Sequence, residues 1–108
     1  MGFVFSNGPV LTPGTAAAVG TVTCRMYDCV VADVDLSSTT ETVSAAGSVD
    51  GKNFNAGKLR PVDLATTSFT VSSDVKDGLY RYDVRGLSAI KFTKSNTSET
   101  VTIRTGLM

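Results

Sequence analysis

Asp77-Gly-Leu-Tyr-Arg-Tyr-Asp-Val-Arg-Gly-Leu87 is a strand written between two turns. Asp77-Gly78 is a tight-turn pair, because glycine accepts the backbone angles such turns need and aspartate caps them through its side chain. From Leu79 to Arg85, Tyr80, Tyr82 and Val84 alternate with Arg81, Asp83 and Arg85. A period of two puts one side of a β-strand against a core and the other in water. Gly86 ends the strand, and its charged side, Arg81, Asp83 and Arg85, reads either as a solvated face or as part of an interface.

The same period recurs on both sides of this stretch. Val22, Cys24 and Met26 oppose Thr21, Thr23 and Arg25; Val30, Ala32, Val34 and Leu36 oppose Asp33 and Asp35. Val43, Ala45, Gly47 and Val49 continue it, and Asp50-Gly51 then supplies a hairpin turn. The small residues Ala45, Ala46 and Gly47 predict that another part of the chain comes close. Residues 52–67 read as a loop that contains Pro61 and is pinned to the core by Phe54, Leu59, Val62 and Leu64. A strand over 68–72 is expected to bury Phe69 and Val71, Ile90 and Phe92 to face inward on the next, and Val101 and Ile103 to close the sheet after a turn at 95–98. The expected core is Val22, Val30, Val34, Val43, Val49, Phe69, Val71, Tyr80, Tyr82, Val84, Ile90, Phe92, Val101 and Ile103.

Seven or eight short strands with turn signals between them predict an all-β fold, an antiparallel β-sandwich. Composition agrees. Serine and threonine make up roughly a quarter of the 108 residues, and no long stretch repeats apolar residues at helical spacing. A chain of this size buries enough apolar surface for one core without metal or disulfide staples. The sandwich is assigned to 20–108 and an extended, uncharged N-terminal arm to 1–19. In the arm the apolar Phe3, Val4 and Phe5 precede Asn7-Gly-Pro-Val-Leu-Thr-Pro-Gly-Thr15, a run rich in turn residues that includes Val10 and Leu11. Two readings of the arm stand: it folds back as an edge strand on its own sandwich, or it docks on a neighbouring subunit by strand addition.

The chemistry-bearing residues exclude more than they suggest. With no histidine, Ser-His-Asp and Cys-His arrangements cannot form. Asp33 with Asp35, or Asp74 with Asp77, are the nearest carboxylate pairs for glycoside hydrolysis, but on the wet side of a strand aspartates commonly just solvate the sheet. Asp50 and Asn53 resemble half of a calcium loop without its terminal glutamate, and two cysteines alone do not complete a zinc site. No catalytic, cofactor or metal residue is therefore assigned, and the chain is expected not to be an enzyme. Cys24 and Cys29 are expected as free thiols, with Cys29 on the opposite side from its neighbours. Ten basic and ten acidic side chains give a formal net charge of zero, which argues against a nucleic-acid partner. No apolar run has the length of a membrane span and the N-terminus lacks a basic signal region, so no membrane partner and cytoplasmic synthesis are expected. Asn96-Thr-Ser98 is read as a polar turn rather than a glycosylation site. Tyr27 is the one tyrosine placed to serve as a sugar platform, which keeps a glycan-binding module as an alternative.

Gly47-Ser-Val-Asp-Gly-Lys-Asn-Phe54 followed by Asp77–Leu87 and two more alternating segments resembles a small jelly-roll-like domain of tailed-bacteriophage structural proteins. The resemblance rests on the patterns G-S-x-D-G-x-x-aromatic and G-x-Y-R-x-D-V-x-G-L and covers residues 28–106. Phe54 stands where such domains often carry tryptophan, and the N-terminal arm lies outside the pattern. The resemblance implies a virion protein assembled in the host cytoplasm, foremost a capsid decoration or cement protein that binds the major capsid protein. Head-tail adaptors and tail accessory modules are the alternatives, and trimers are common in this class. The residues assigned to partner binding are Phe3, Val4, Phe5, Val10, Leu11, Arg81 and Arg85.

Overall fold

The computed structural model describes the main chain of 4–6, 10–11 and 19, and main chain and side chains of 20–36, 42–54, 58–95 and 101–108. Among these residues there are ten strands and no helix: β1 (Val4–Ser6), β2 (Val10–Leu11), β3 (Val19–Thr23), β4 (Cys29–Leu36), β5 (Val43–Ser48), β6 (Val62–Asp63), β7 (Ser68–Phe69), β8 (Gly78–Asp83), β9 (Ala89–Lys94) and β10 (Val101–Leu107). The larger sheet runs β1-β10-β4-β8-β6-β7 with β2 also on β10, and the smaller runs β3-β9-β5. Every pairing is antiparallel. The all-β, two-sheet architecture is the one expected, and the larger strand count comes from the two- and three-residue strands β1, β2 and β6.

Register explains the core. In the larger sheet Val30 lies between Leu107 and Tyr82, Ala32 between Thr105 and Tyr80, and Val34 between Ile103 and Gly78. In the smaller sheet Phe92 lies between Gly20 and Ala45, and Ile90 between Val22 and Gly47. These inward rows meet, and the Tyr82 and Phe92 rings touch edge to face at 5.7 Å between centroids. Each such buried side chain stabilises the fold by about 1.5–3 kcal/mol relative to exposure. Cys24 and Val75 join the same cluster.

One ribbon ties the sheets together. Residues 19–23 pair with 89–93 in the smaller sheet, and 29–34 pair with 78–83 in the larger. Between these stretches both strands bend from one sheet to the other at neighbouring corners, Cys24–Asp28 and Val84–Ser88. The Cys24 N–H donates to the Ser88 carbonyl and the Val84 N–H to the Asp28 carbonyl, both at 2.9 Å. Within the corners, the Tyr27 N–H donates to the Cys24 carbonyl (3.1 Å) and the Leu87 N–H to the Val84 carbonyl (2.9 Å). A local two-fold relation follows, with Cys24 matching Val84, Arg25 Arg85, Met26 Gly86, Tyr27 Leu87 and Asp28 Ser88.

Three residues of the expected core, Val49, Phe69 and Val71, are exposed, as is Met26, which alternation places on the inward row. Met26, placed inward with Cys24, is 89% exposed because the corner begins at Cys24 and gives Met26 a φ of 72°. Val49 is 74% exposed: β5 ends at Ser48, whose hydroxyl accepts the Gly51 N–H (2.9 Å) and starts a turn, so the period does not reach Val49. Phe69 is 65% exposed because β7 has only two residues and hangs at the sheet edge beyond β6. Val71 is 97% exposed in the bend after β7, where the Thr70 hydroxyl donates to the Ser72 carbonyl (2.6 Å). Beyond Asp50-Gly51 the chain returns antiparallel along the free edge of β5 only as an isolated bridge, Ala46 to Lys58, and not as a second full strand.

The close approach predicted at Ala45–Gly47 is present. A Cβ on Gly47 would lie 2.5 Å from Leu87 Cδ1. The outer edge of β5 is covered as well: Val43 and Val75 exchange both main-chain bonds at 2.8 Å, and the Leu59 N–H donates to the Ala45 carbonyl at 2.8 Å. Such cover removes an edge that would otherwise pair with foreign strands.

Candidate docking surface

The two corners form one end of the sandwich, and their side chains repeat the symmetry of the main chain. Arg25 Nη2 donates to Ser88 Oγ at 3.3 Å, and Arg85 Nε lies 3.5 Å from Asp28 Oδ1. Each arginine thus reaches across to the last residue of the opposite corner. Tyr27 and Leu87 are half-buried and pack down on the core, which anchors both turns from below. Tyr27 is therefore a half-buried wedge in the corner with one side left to the groove above it.

Between the corners is a groove of about 400 Å³ lined by Arg25, Met26, Tyr27, Val49, Arg85 and Leu87 among others. A second groove, of about 300 Å³, adjoins it across Asp28 and Arg85 and is lined by Cys29, Val62, Phe69, Arg81 and Asp83. Together they bring Met26, Val49 and Phe69, three of the exposed large apolar side chains, around Arg25, Arg81 and Arg85. Arg25 and Arg81 make no ion pair among the described residues. Exposed apolar side chains next to arginine have the composition of protein interfaces.

The residues assigned to partner binding from sequence fall in two places. Arg81 and Arg85 belong to this surface. The main chain of Val4 and Phe5 pairs with Leu107 and Gly106, and that of Val10 and Leu11 with Thr102 and Val101, along the same edge of β10. This is the fold-back arrangement of the segment. Phe3 lies outside the described residues, as does the Asn96–Ser98 turn. Sequence reasoning missed Arg25, Met26, Val49 and Phe69. The signal available for Met26 was its place between Arg25 and Tyr27-Asp28, where a β-turn could have been read instead of a continued strand.

The carboxylates considered for catalysis and metal binding are engaged elsewhere. Asp33 and Asp35 both lie against Arg104 Nη1, at 3.7 and 3.8 Å. Asp74 pairs with Lys58 at 3.5 Å, and Asp77 Oδ1 accepts the Leu36 N–H at 2.6 Å. The Asp50 carboxylate accepts bonds from the N–H groups of Asn53 and Lys52, the Asn53 amide and the Ser48 hydroxyl, which hold it well below the usual carboxylate range. Among the described residues no three His, Cys, Asp or Glu side chains converge on a metal-sized site, and no helix is long and apolar enough to cross a membrane. Cys24 and Cys29 are unbonded thiols. Cys24 is buried, which pushes its thiol up, whereas Cys29 lines the outer groove on the other side of the sheet. A third groove, of about 390 Å³, carries hydroxyls from Thr42, Ser44 and Thr93 with the Lys58–Asp74 pair but no aromatic ring.

No family model matches the sequence, and no curated protein matches it. Among solved structures, the chain is similar to the crystal structure of SPBc2 prophage-derived protein YomS, with a TM-score of 0.67 and 15% sequence identity. The superposition covers 94% of this chain and 92% of that one, so the two share a fold over nearly their whole lengths.

Proposed function

We propose that this chain is a non-enzymatic structural protein of a phage particle, and within that class a capsid decoration protein that binds and stabilises the head shell. The observation that carries the reading is the fold shared with a prophage-derived protein across nearly the full length of both chains. The phage-like turn and strand patterns at 47–54 and 77–87 support it from the sequence. The remaining features suit a mechanical role. There is no histidine, and the candidate carboxylates are held in ion pairs and main-chain hydrogen bonds. A rigid sandwich with one apolar, arginine-bearing end bridges shell subunits and adds contacts that must break before the shell ruptures. Many weak copies then act together.

The test is co-sedimentation of the purified chain with capsid shells of the phage that encodes it. Saturable binding, at a stoichiometry comparable to the shell subunits, together with a raised rupture temperature of the decorated shells is the expected result. Absence of binding would contradict the decoration role and direct the search to head-tail junction, tail or host glycan.

A further inference from the structure

We infer that the chain docks through the paired corners, with Met26 as the inserted side chain, on a protein surface that offers an apolar recess edged by carboxylates. The inference rests on the shell-binding reading above and names the site and the chemistry of its partner.

Three independent observations converge on this end of the molecule. The first is conformational. Met26 and Gly86 are matched positions in the two corners, and both have left-handed backbones, with φ of 72° and 85°. That region costs a residue with a Cβ about 1–2 kcal/mol, a cost glycine does not meet. The chain uses glycine at one corner and methionine at the other. Folding alone gives no reason for the difference, since the Met26 side chain is 89% exposed and contributes no burial. Among the described non-glycine residues only Thr67, in the turn before β7, shares a left-handed backbone, and Met26 differs from it in having glycine at the matched corner position, which gives its side chain a use to be tested.

The second observation is the surface around it. Val49 stands exposed across the groove from the corner, because the turn begun at Ser48 throws it outward. Methionine is flexible and polarizable, so it fills an irregular recess that a branched side chain would not. The third is charge. The arginines on this surface are Arg25, Arg81 and Arg85. Two carboxylates share the surface: Asp28 pairs with Arg85 and Asp83 accepts the Arg85 main-chain N–H, whereas Arg25, which donates to the Ser88 hydroxyl, and Arg81 have no carboxylate partner among the described residues. Guanidinium groups without a carboxylate at the rim of an apolar groove complement carboxylates on a partner and steer its approach.

The experiment uses the full chain and capsid shells in the co-sedimentation assay, with Met26→Gly, the double variant Arg25→Glu/Arg81→Glu, and Lys58→Glu as a charge-reversal control in the third groove. Met26→Gly relieves the left-handed strain, so loss of binding by that variant is not loss of fold; unfolding curves confirm this for all four proteins. Expected are roughly tenfold weaker binding for Met26→Gly, about a hundredfold or greater loss for the arginine pair, and no change for Lys58→Glu. Wild-type binding should weaken as salt is raised, and the residual binding of the arginine variant much less. Equal binding by wild type and both corner variants would overturn the inference and leave the shell reading standing. Failure of the wild type itself to sediment with shells would overturn both.

Discussion

The corner at Cys24–Asp28 and the corner at Val84–Ser88 perform the same task, carrying one strand of the ribbon from sheet to sheet, with the same main-chain bonds. Of their differences in sequence, the one at the third position bears on backbone strain. Gly86 meets the left-handed requirement at no steric cost, and a Cβ there would touch nothing within 4 Å. Met26 meets it with strain and projects into water. One corner is thus explained by folding alone, and the other needs a second reason. The difference separates what the fold demands of this end of the molecule from what a partner would ask of it.

The strongest way to break the comparison is to remove what both corners stand on. Phe92 is fully buried against Tyr82, and Phe92→Ala should lower stability by about 3–5 kcal/mol. If the corners are one cooperative unit, the amides of Cys24 and Val84 lose exchange protection together. Protection lost at one corner only would show that the ribbon is not a unit.

Exchanging the third-position residues sharpens it. Gly86→Met should destabilise by about 1–2 kcal/mol, and Met26→Gly should stabilise by about 1 kcal/mol or less, since glycine also raises unfolded-chain entropy. Urea midpoints followed by tyrosine fluorescence would check both signs. A stabilising Gly86→Met would sink the equivalence of the corners.

Tyr82 lies beneath them, paired with Val30 next to the ribbon, and its hydroxyl is buried with no hydrogen-bond partner among the described residues. Tyr82→Phe should raise stability by about 1 kcal/mol at neutral pH, the cost of an unsatisfied hydroxyl. Burial also pushes the Tyr82 phenol above its ordinary value. The folded state therefore disfavours the phenolate, and this contribution is intact below the ordinary tyrosine value near 10 and falls as pH rises beyond it. Tyr82→Phe should lack that part of the alkaline loss.

The smallest effect belongs to the turn that sets Val49 outward. Because its hydrogen bonds depress the Asp50 carboxyl, the stability it lends is present above the ordinary aspartate value near 4 and drains away as pH falls below it. Asp50→Asn should flatten the acid side of the stability profile below about pH 4, the variant being less stable than the wild type at pH 7 and converging on it as pH falls. A profile unchanged by the substitution would show that the turn is held by other groups.

The sheet interior was legible because long strands carry their period in plain view. Tyr80, Tyr82 and Val84, Val30 and Val34, Ile90 and Phe92, and Val101 and Ile103 all point where alternation puts them. The places where alternation fails are the ends of strands. Val49 and Met26 keep the period in sequence after the backbone has turned, and the hydrogen bonds that turn it, from Tyr27 to Cys24 and from Gly51 to Ser48, leave no mark in a pattern of apolar residues. Phe69 and Val71 were read as a buried strand because nothing local tells an edge strand of two residues from a central one of five. Half of the proposed docking surface is visible in the charged row of the 79–85 stretch, Arg81 in β8 and Arg85 in the corner that follows it. The other half needs the ribbon to fold, since Arg25 and Met26 lie next to Arg85 and Leu87 only across the corner.

The most direct test of the central claim is amide hydrogen exchange of the chain free and bound to capsid shells. Protection gained at Arg25–Cys29 and Arg85–Ser88, with exchange at β5 and around the Lys58–Asp74 groove unchanged, is the result this account predicts. Protection confined to other segments, with both corners exchanging as freely in the bound protein as in the free one, would contradict it.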